Sequence, residues 1–438
     1  MKLRIDRKEE ASGWWNAVRL ISEFSVAPAK AENFLRRAQS LSNVQQKQVC
    51  QHLFLGAIRH HLLLNWLLRQ TVKRDPRPML KAVLHVAGFE LVNTLERGES
   101  EAPCIHFAVG QTKKRMSPGE ASLVNAVLRK WVKLIGSRKH AAEDDDPKAM
   151  SLYFSHPEWL VKRWVSAWGF QDTRKLLRYN QTPASVYVRA FTEIPERDQP
   201  SLAQTDLPEF FKYTGHQWDS VQWLLDRGRV IVQDPATRLA TDAIDPQAGD
   251  VILDLCAAPG GKSLNMAARV GAEGRVYGMD QGRDKIGARY FQWETNVSRA
   301  LHQNVAIFEA DILEITDASL AKASYPTQYD KVLLDAPCSN TGVLNRKPDA
   351  RLRLSPDQIS NVVPLQQQLL ARAATWVKPG GVLVYSTCSL EKEENEDVVS
   401  AFLESEAGSE WTLESQCASL PFRDGFDGAG VAKLRRSE

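Results

Sequence analysis

Cysteine is scarce and unpatterned in this chain. Six occur in 438 residues, Cys50, Cys104, Cys256, Cys338, Cys388 and Cys417, and none forms a CxxC pair. That excludes a zinc ribbon and a disulfide scaffold, so no metal site is expected. Free thiols fit a reducing cytoplasm, where they stay available for chemistry. Long hydrophobic runs are missing too. Polar or charged residues interrupt every apolar stretch, so neither a membrane span nor a membrane partner is expected. The basic start, Met1 to Lys8, has no apolar run behind it and does not suit a secretory signal. Internal repeats and low-complexity tracts are absent, which argues against a solenoid or a disordered chain.

What is present is an ordinary globular composition with an uneven charge. Hydrophobic residues make up 43% and charged residues 25%. The length calls for two or three domains. Residues 1–140 carry 24 Lys+Arg against 11 Asp+Glu, a net of +13. The remainder carries 32 against 42, a net of −10. A basic module joined to an acidic one suggests a polyanionic partner for the first. The plainer reading is a solvated helical domain that happens to be basic.

Three regions follow from the patterning. Residues 1–140 read as all-α, with apolar residues at three- and four-residue spacing in Phe54, Leu55, Ile58, Leu62 and Trp66. Ala121, Val124, Val127, Leu128 and Trp131 repeat that spacing, and Arg115, Arg129, Lys130 and Lys133 lie close enough to such helices to meet phosphate. The acidic stretch His140–Pro147 reads as a linker. Residues 141–245 are mixed α/β: a helix from Pro157 to Trp168-Gly169, then strands at Val186–Arg189 and Arg229–Val232. From 246 to 438 the rhythm is strand–helix–strand, with apolar runs at Val251–Leu255, Val276–Met279, Val305–Phe308, Lys331–Leu334 and Val382–Tyr385. Continuous apolar runs indicate parallel strands covered on both faces, a doubly wound α/β sheet.

The first of these strands ends in Asp254-Leu255-Cys256-Ala257-Ala258-Pro259-Gly260-Gly261-Lys262-Ser263. Small residues let the backbone approach a ligand, and the amides of the following helix favour negative charge. A phosphate loop GxxxxGK[ST] would need glycine where Cys256 stands, and GxGxxG does not fit either. Asp280 closes the second strand, placed to accept both hydroxyls of a ribose. Asp311 follows the third and could meet an adenine amino group. Loop, ribose acid and adenine contact together suggest S-adenosyl-L-methionine; the alternative is that both acids are only polar strand ends.

Two cysteines end the next two strands, in Asp335-Ala336-Pro337-Cys338-Ser339-Asn340-Thr341-Gly342 and Ser386-Thr387-Cys388-Ser389. Buried cysteine is usually a small hydrophobe. Two of them at the carboxyl ends of neighbouring strands, beside a cofactor loop, point instead to covalent catalysis. Carbon 5 of cytosine is a poor nucleophile until a thiolate adds to carbon 6. Asp335 stands where it could relieve the charge that then collects on N3. The residues alone do not rank Cys338 against Cys388.

These segments, with Leu253–Ser263, Leu334–Gly342 and Tyr385–Ser389 together, resemble the bacterial 16S ribosomal RNA cytosine-C5 methyltransferases of the RsmB/Sun/Fmu type. The resemblance covers nearly the whole chain. It implies a Rossmann-like class I methyltransferase sheet at 246–438, preceded by a NusB-like RNA-binding helical domain at 1–140, which includes Asn125–Arg129. It implies that Cys256, Ala257, Ala258, Pro259, Gly260, Gly261, Lys262, Asp280, Asp311 and Asp335 contact S-adenosyl-L-methionine. It further implies Cys388 as the nucleophile and Cys338 as the group assisting proton removal or product release. The implied partner is 16S ribosomal RNA before the subunit is fully assembled, met by a monomeric chain. The chain departs from the family in three places: Leu352 or Arg353 stands near a usual tryptophan after Pro348-Asp349, Asp427–Gly430 lacks the usual aromatics, and Cys104–Val109 only loosely resembles its counterpart. A tRNA cytosine-C5 methyltransferase, and a non-catalytic RNA-binding assembly factor on the same fold, are the competing readings.

Overall fold

The computed structural model describes residues 7–38, 43–215 and 217–438; the basic start Met1–Asp6 lies outside them. The chain forms two compact units. One runs to Ala184 and includes Leu344–Leu354; the other comprises Ser185–Val343 and Ser355–Glu438. This boundary falls inside the 141–245 stretch. Its helix Glu158–Gln181 goes with the first unit and its strands with the second.

The first unit is helical. Its longest early helices are Arg7–Val26, Pro78–Glu96 and Pro118–Ala141. Ser117 and Glu120 form a capping box at the start of Pro118–Ala141, with Pro118 at the first helical position, where its missing N–H costs nothing. The stripe Ala121, Val124, Val127, Leu128 and Trp131 is buried, as its spacing predicts. The run from Phe54 to Trp66, by contrast, is two helices. Val44–Arg59 stops at His60, and His61–Thr71 turns a different face inward. Burial passes to Leu63, Leu64, Leu67 and Leu68, while Leu62 and Trp66 are half-buried. The acidic turn before Pro147 is held by Arg174 to Asp145 at 2.9 Å and by Arg178 to Glu143 at 2.7 Å. Glu158–Gln181 kinks at Gly169, where the sequence signals a stop, and then resumes.

The second unit holds two sheets. The smaller contains β1 (Tyr187–Ala190), β2 (Leu202–Gln204), β3 (Phe210–Tyr213) and β4 (Val230–Val232), in the order β2-β3-β1-β4. The larger contains β5 (Val251–Leu255), β6 (Arg275–Asp280), β7 (Val305–Glu309), β8 (Tyr329–Asp335), β9 (Val377–Thr387), β10 (Trp411–Ser419) and β11 (Ala429–Arg436). Their order is β10-β11-β9-β8-β5-β6-β7. The five strands from β9 to β7 are parallel neighbours, and β5 is the point from which the chain winds both ways. Successive residues of one strand enter opposite cores. Leu253 and Leu255 pack with Trp376 and Phe402 on one face; Ile252 packs with Met266 and Val270 on the other. Each such buried side chain is worth roughly 1.5–3 kcal/mol. Two-sided burial is why these strands read as unbroken apolar runs.

One edge departs from the all-parallel pattern. β11 runs antiparallel to β9, and β10 antiparallel to β11. Only the two ends of β10 are buried, so it carries no apolar signature. Glu414 pairs with Lys433 and Arg435, and such charges protect an edge strand from pairing with another chain. The resulting mixed seven-stranded sheet is Rossmann-like.

Candidate active site

Every residue singled out from the sequence lies at or just beyond the carboxyl end of a parallel strand, where open α/β sheets bind ligands. Cys256 follows β5 with φ of 59°, and Gly260 has φ of 90°. Trp293 would lie 2.6 Å from a side-chain carbon at Gly260, so the turn needs glycine for both conformation and space. Gly261 then starts the helix Gly261–Val270. Asp280, the last residue of β6, grips this loop: its carboxylate accepts from the Ala258 amide at 3.0 Å and from the Gln281 amide at 2.7 Å. Burial raises its pKa despite Arg289 and these two donors. Asp311 lies past β7, and the backbone links it to Asp280 through Ala310 N–H donating to the Asp280 carbonyl. Burial would raise the Asp311 pKa, but the Leu313 amide and Lys285 outweigh it and leave it lowered. The loop is built from small residues, Ala257, Ala258, Gly260 and Gly261, with Pro259 exposed at its tip. A carboxylate at the next strand end is the hydroxyl-accepting group a nucleoside requires. These residues fit S-adenosyl-L-methionine.

Lys262, Asp335 and Ser386 form the link from that loop to the thiols. Lys262 Nζ donates to Asp335 at 2.6 Å, and Ser386 Oγ donates to its other oxygen at 2.8 Å. Burial works against the Lys262 charge, yet Asp335 prevails and its pKa is raised. Beneath them Asp254 is fully buried. Ser263 donates to one of its oxygens, and the other has no partner. Burial lifts the Asp254 carboxyl to about 7.

β8 and β9 are hydrogen-bonded neighbours, with Asp335 opposite Ser386. Their extensions bring the sulfurs of Cys338 and Cys388 to 3.3 Å. Both cysteines are partly exposed and unbridged. The hydrogen bond to Cys388, then burial, raises the Cys338 thiol pKa well above the ordinary range. A narrow cavity of about 90 Å³ is lined by Lys262, Asp335, Ser386, Cys388 and Asp427 among others. Cys256, the remaining cysteine of the motifs, packs against the sheet core.

The sequence reading missed the frame that holds the thiols. Glu394 is fully buried. It accepts from Ser389 Oγ at 2.6 Å, the Ser339 amide at 2.8 Å and Gln366 at 3.1 Å, and from Ser339 Oγ as well. One carboxylate thus ties the residue after Cys338 to the residue after Cys388. Gly342 completes the clamp: its N–H donates to the Cys388 carbonyl at 3.0 Å, and a side-chain carbon there would meet Gly428 O at 2.6 Å. The repeated Cys-Ser was a visible signal for Ser339 and Ser389. Glu394 sits in an acidic run, Glu391–Glu396, that reads as a solvated surface.

A Rossmann-like sheet with a small-residue loop, a strand-end carboxylate and this rim defines an S-adenosylmethionine-type methyltransferase. Residues 241–421 match the family described as 16S rRNA methyltransferase RsmB/F. Residues 16–133 match the NusB family, and 156–198 a ferredoxin-like domain of RsmF/B-like methyltransferases. A probable ribosomal RNA small subunit methyltransferase B of Bacillus subtilis is 30% identical over 428 residues, covering 90% of this chain and 91% of its own. The ribosomal RNA small subunit methyltransferase B of Thermus thermophilus is 31% identical, covering 93% and 94%. A crystal structure of a methyltransferase homologue from Pyrococcus horikoshii, 25% identical, has a TM-score of 0.54 and covers 65% of this chain and 97% of its own. The chain belongs to the RsmB/F methyltransferase family. Among the described residues, no helix is long and apolar enough to cross a membrane.

Proposed function

We propose that this chain methylates carbon 5 of a cytosine in 16S ribosomal RNA through a covalent bond between a cysteine and carbon 6. The observation that carries this reading is the pair of sulfurs 3.3 Å apart beside the Lys262–Asp335 pair. Bound S-adenosyl-L-methionine supplies the electrophilic methyl group. Cys256–Lys262, Asp280, Asp311 and Asp335 are the residues that hold it.

Cys388, as thiolate, adds to carbon 6 and makes carbon 5 enamine-like. Negative charge moves to N3, where Asp335 and the protonated Lys262 share the proton that neutralises it. After methylation the proton on carbon 5 must leave. Cys338 first gives its own proton to solvent and then, as thiolate, takes this one; its raised pKa makes that thiolate a strong base. That proton passes to solvent, the carbon–sulfur bond breaks, and Cys388 departs as thiolate. The target base must leave its stack to reach the sulfur, as bases do in enzymes that act on them. The relatives named as small subunit methyltransferases support ribosomal RNA as substrate, and the free cysteines among the described residues fit a reducing cytoplasm.

The test is transfer from labelled S-adenosyl-L-methionine to 16S transcript and to tRNA, with nucleoside mass spectrometry of the product. The expected result is 5-methylcytosine in 16S RNA. Label confined to tRNA, or no label, overturns the assignment.

A further inference from the structure

Two arginines of the helical unit are buried without a counter-charge. Arg59 is 4% exposed and Arg351 2%. Arg351 comes from Leu344–Leu354, the loop that follows the Cys338 motif and packs within this unit. Its guanidinium donates to the carbonyls of Arg59 at 3.2 Å, Leu344 at 3.3 Å and Asn180. Arg59 donates to the Asn345 carbonyl at 2.7 Å. Neither forms an ion pair among the described residues, and the Nε of each has no hydrogen-bond partner. Burial lowers the pKa of both, and the Arg59 charge lowers that of Arg351 further. The neighbouring rings His60 and His156 are buried and have lowered pKa values, so they stay neutral.

Arg351 opens onto a cavity of about 560 Å³ in the same unit. Arg69, Lys81 and Arg353 also line it, and Asp349 is the one acid among its lining residues. Asp349 pairs with Arg353 at 2.7 Å and the exposed Asp75 with Lys81 at 3.2 Å, which leaves Arg69 and Arg351 as the cations in excess. The remaining wall mixes apolar Phe24, Leu62 and Leu354 with polar Ser25, His61 and Asn65. The volume is in the range of sites that enclose a small organic ligand. Excess cations beside a wall that mixes apolar and hydrogen-bonding side chains match a phosphate joined to a flat base.

The geometry points to this cavity as a binding site for one unstacked nucleotide of the RNA substrate. Arg69, Lys81 and Arg353 meet its phosphate, and the base lies against the leucines. The inference rests on RNA being the substrate. It differs from a general basic surface because it predicts a small, shaped site rather than charge spread over helices.

The test uses the full chain with single-stranded RNA oligomers and 16S transcript, measuring affinity, KM and kcat for Arg69→Glu, Arg353→Glu and the space-filling Leu354→Trp. Each is expected to raise KM for RNA about tenfold, with kcat and cofactor affinity unchanged. Each charge reversal should also lower the salt dependence of binding. Lys148→Glu, an exposed charge outside the lining, is the control. An equal loss there, or no loss in the three cavity variants, overturns the site and leaves cytosine methylation standing. Competition by cytidine monophosphate or inorganic phosphate as strong as by the oligomer would make it a small-ligand site and overturn the RNA assignment. If the wild type methylates no RNA while the cavity variants still lose oligomer binding, the methylation reading fails and the site survives.

Discussion

Cysteines occur in two kinds of place in this molecule, and the contrast shows what makes a thiol useful. Cys50 is fully buried in the helical unit, and burial alone raises its pKa to about 11. It has no polar neighbour to share a proton with and acts as a small hydrophobe. Cys338 also has a raised pKa, but the first cause is another sulfur, that of Cys388. Both thiols of that pair are partly exposed beyond strand ends, and Cys388 lines a cavity. Burial makes a thiol inert; a partner at an open rim makes it a candidate for chemistry.

The largest test of this contrast is Cys388→Ser. It should cut methyl transfer by roughly a thousandfold or more, since a hydroxyl adds poorly to carbon 6. RNA binding should persist. Cys50→Ser should leave kcat unchanged and lower only the melting temperature. Equal turnover in wild type and Cys388→Ser would remove Cys388 as nucleophile. Next comes Cys338→Ser, expected to slow turnover about a hundredfold. Because elimination suffers more than addition, a retarded RNA–protein species should appear on a denaturing gel. Its absence would count against Cys338 as the base.

Glu394→Gln probes the frame instead of the sulfurs. One oxygen is kept and the other becomes a donor facing donors, so the two Cys-Ser segments loosen. We expect kcat to fall about tenfold with KM for RNA unchanged. A change in KM alone would assign Glu394 to binding rather than positioning.

The smallest effect concerns pH. Asp254 has a folded-state pKa of about 7 against about 4 in an unfolded chain. Between those values the folded protein holds a proton that the unfolded chain has lost. Its contribution to stability is therefore full below about pH 4, falls as pH rises toward 7, and is flat above. Asp254→Asn should flatten that decline, read as melting temperature at pH 5 and pH 8. An unchanged profile would mean that Asp254 titrates normally.

Much of the sheet unit was legible because its signals are local. β5, β6, β7, β8 and β9 are continuous apolar runs, and small or polar motifs follow immediately where each strand ends. The β10–β11 hairpin was not legible, because a mostly exposed edge strand needs no apolar pattern. The helix break at His60 was hidden because the apolar spacing continues across it. The cavity beside Arg351 and Arg69 could not be read at all, since its walls come from segments far apart in the chain.

Local order along the chain determined which residues stand at strand ends, because a buried parallel strand and the small-residue turn after it are contiguous patterns. Only the folded structure decided which of them meet. Cys338 and Cys388 are fifty positions apart, and their contact exists because β8 pairs with β9. The same holds for Glu394 gripping both Cys-Ser segments and for the two arginines buried together. Strand pairing and burial are long-range events whose free energy belongs to the assembled core, so no short stretch of residues contains them.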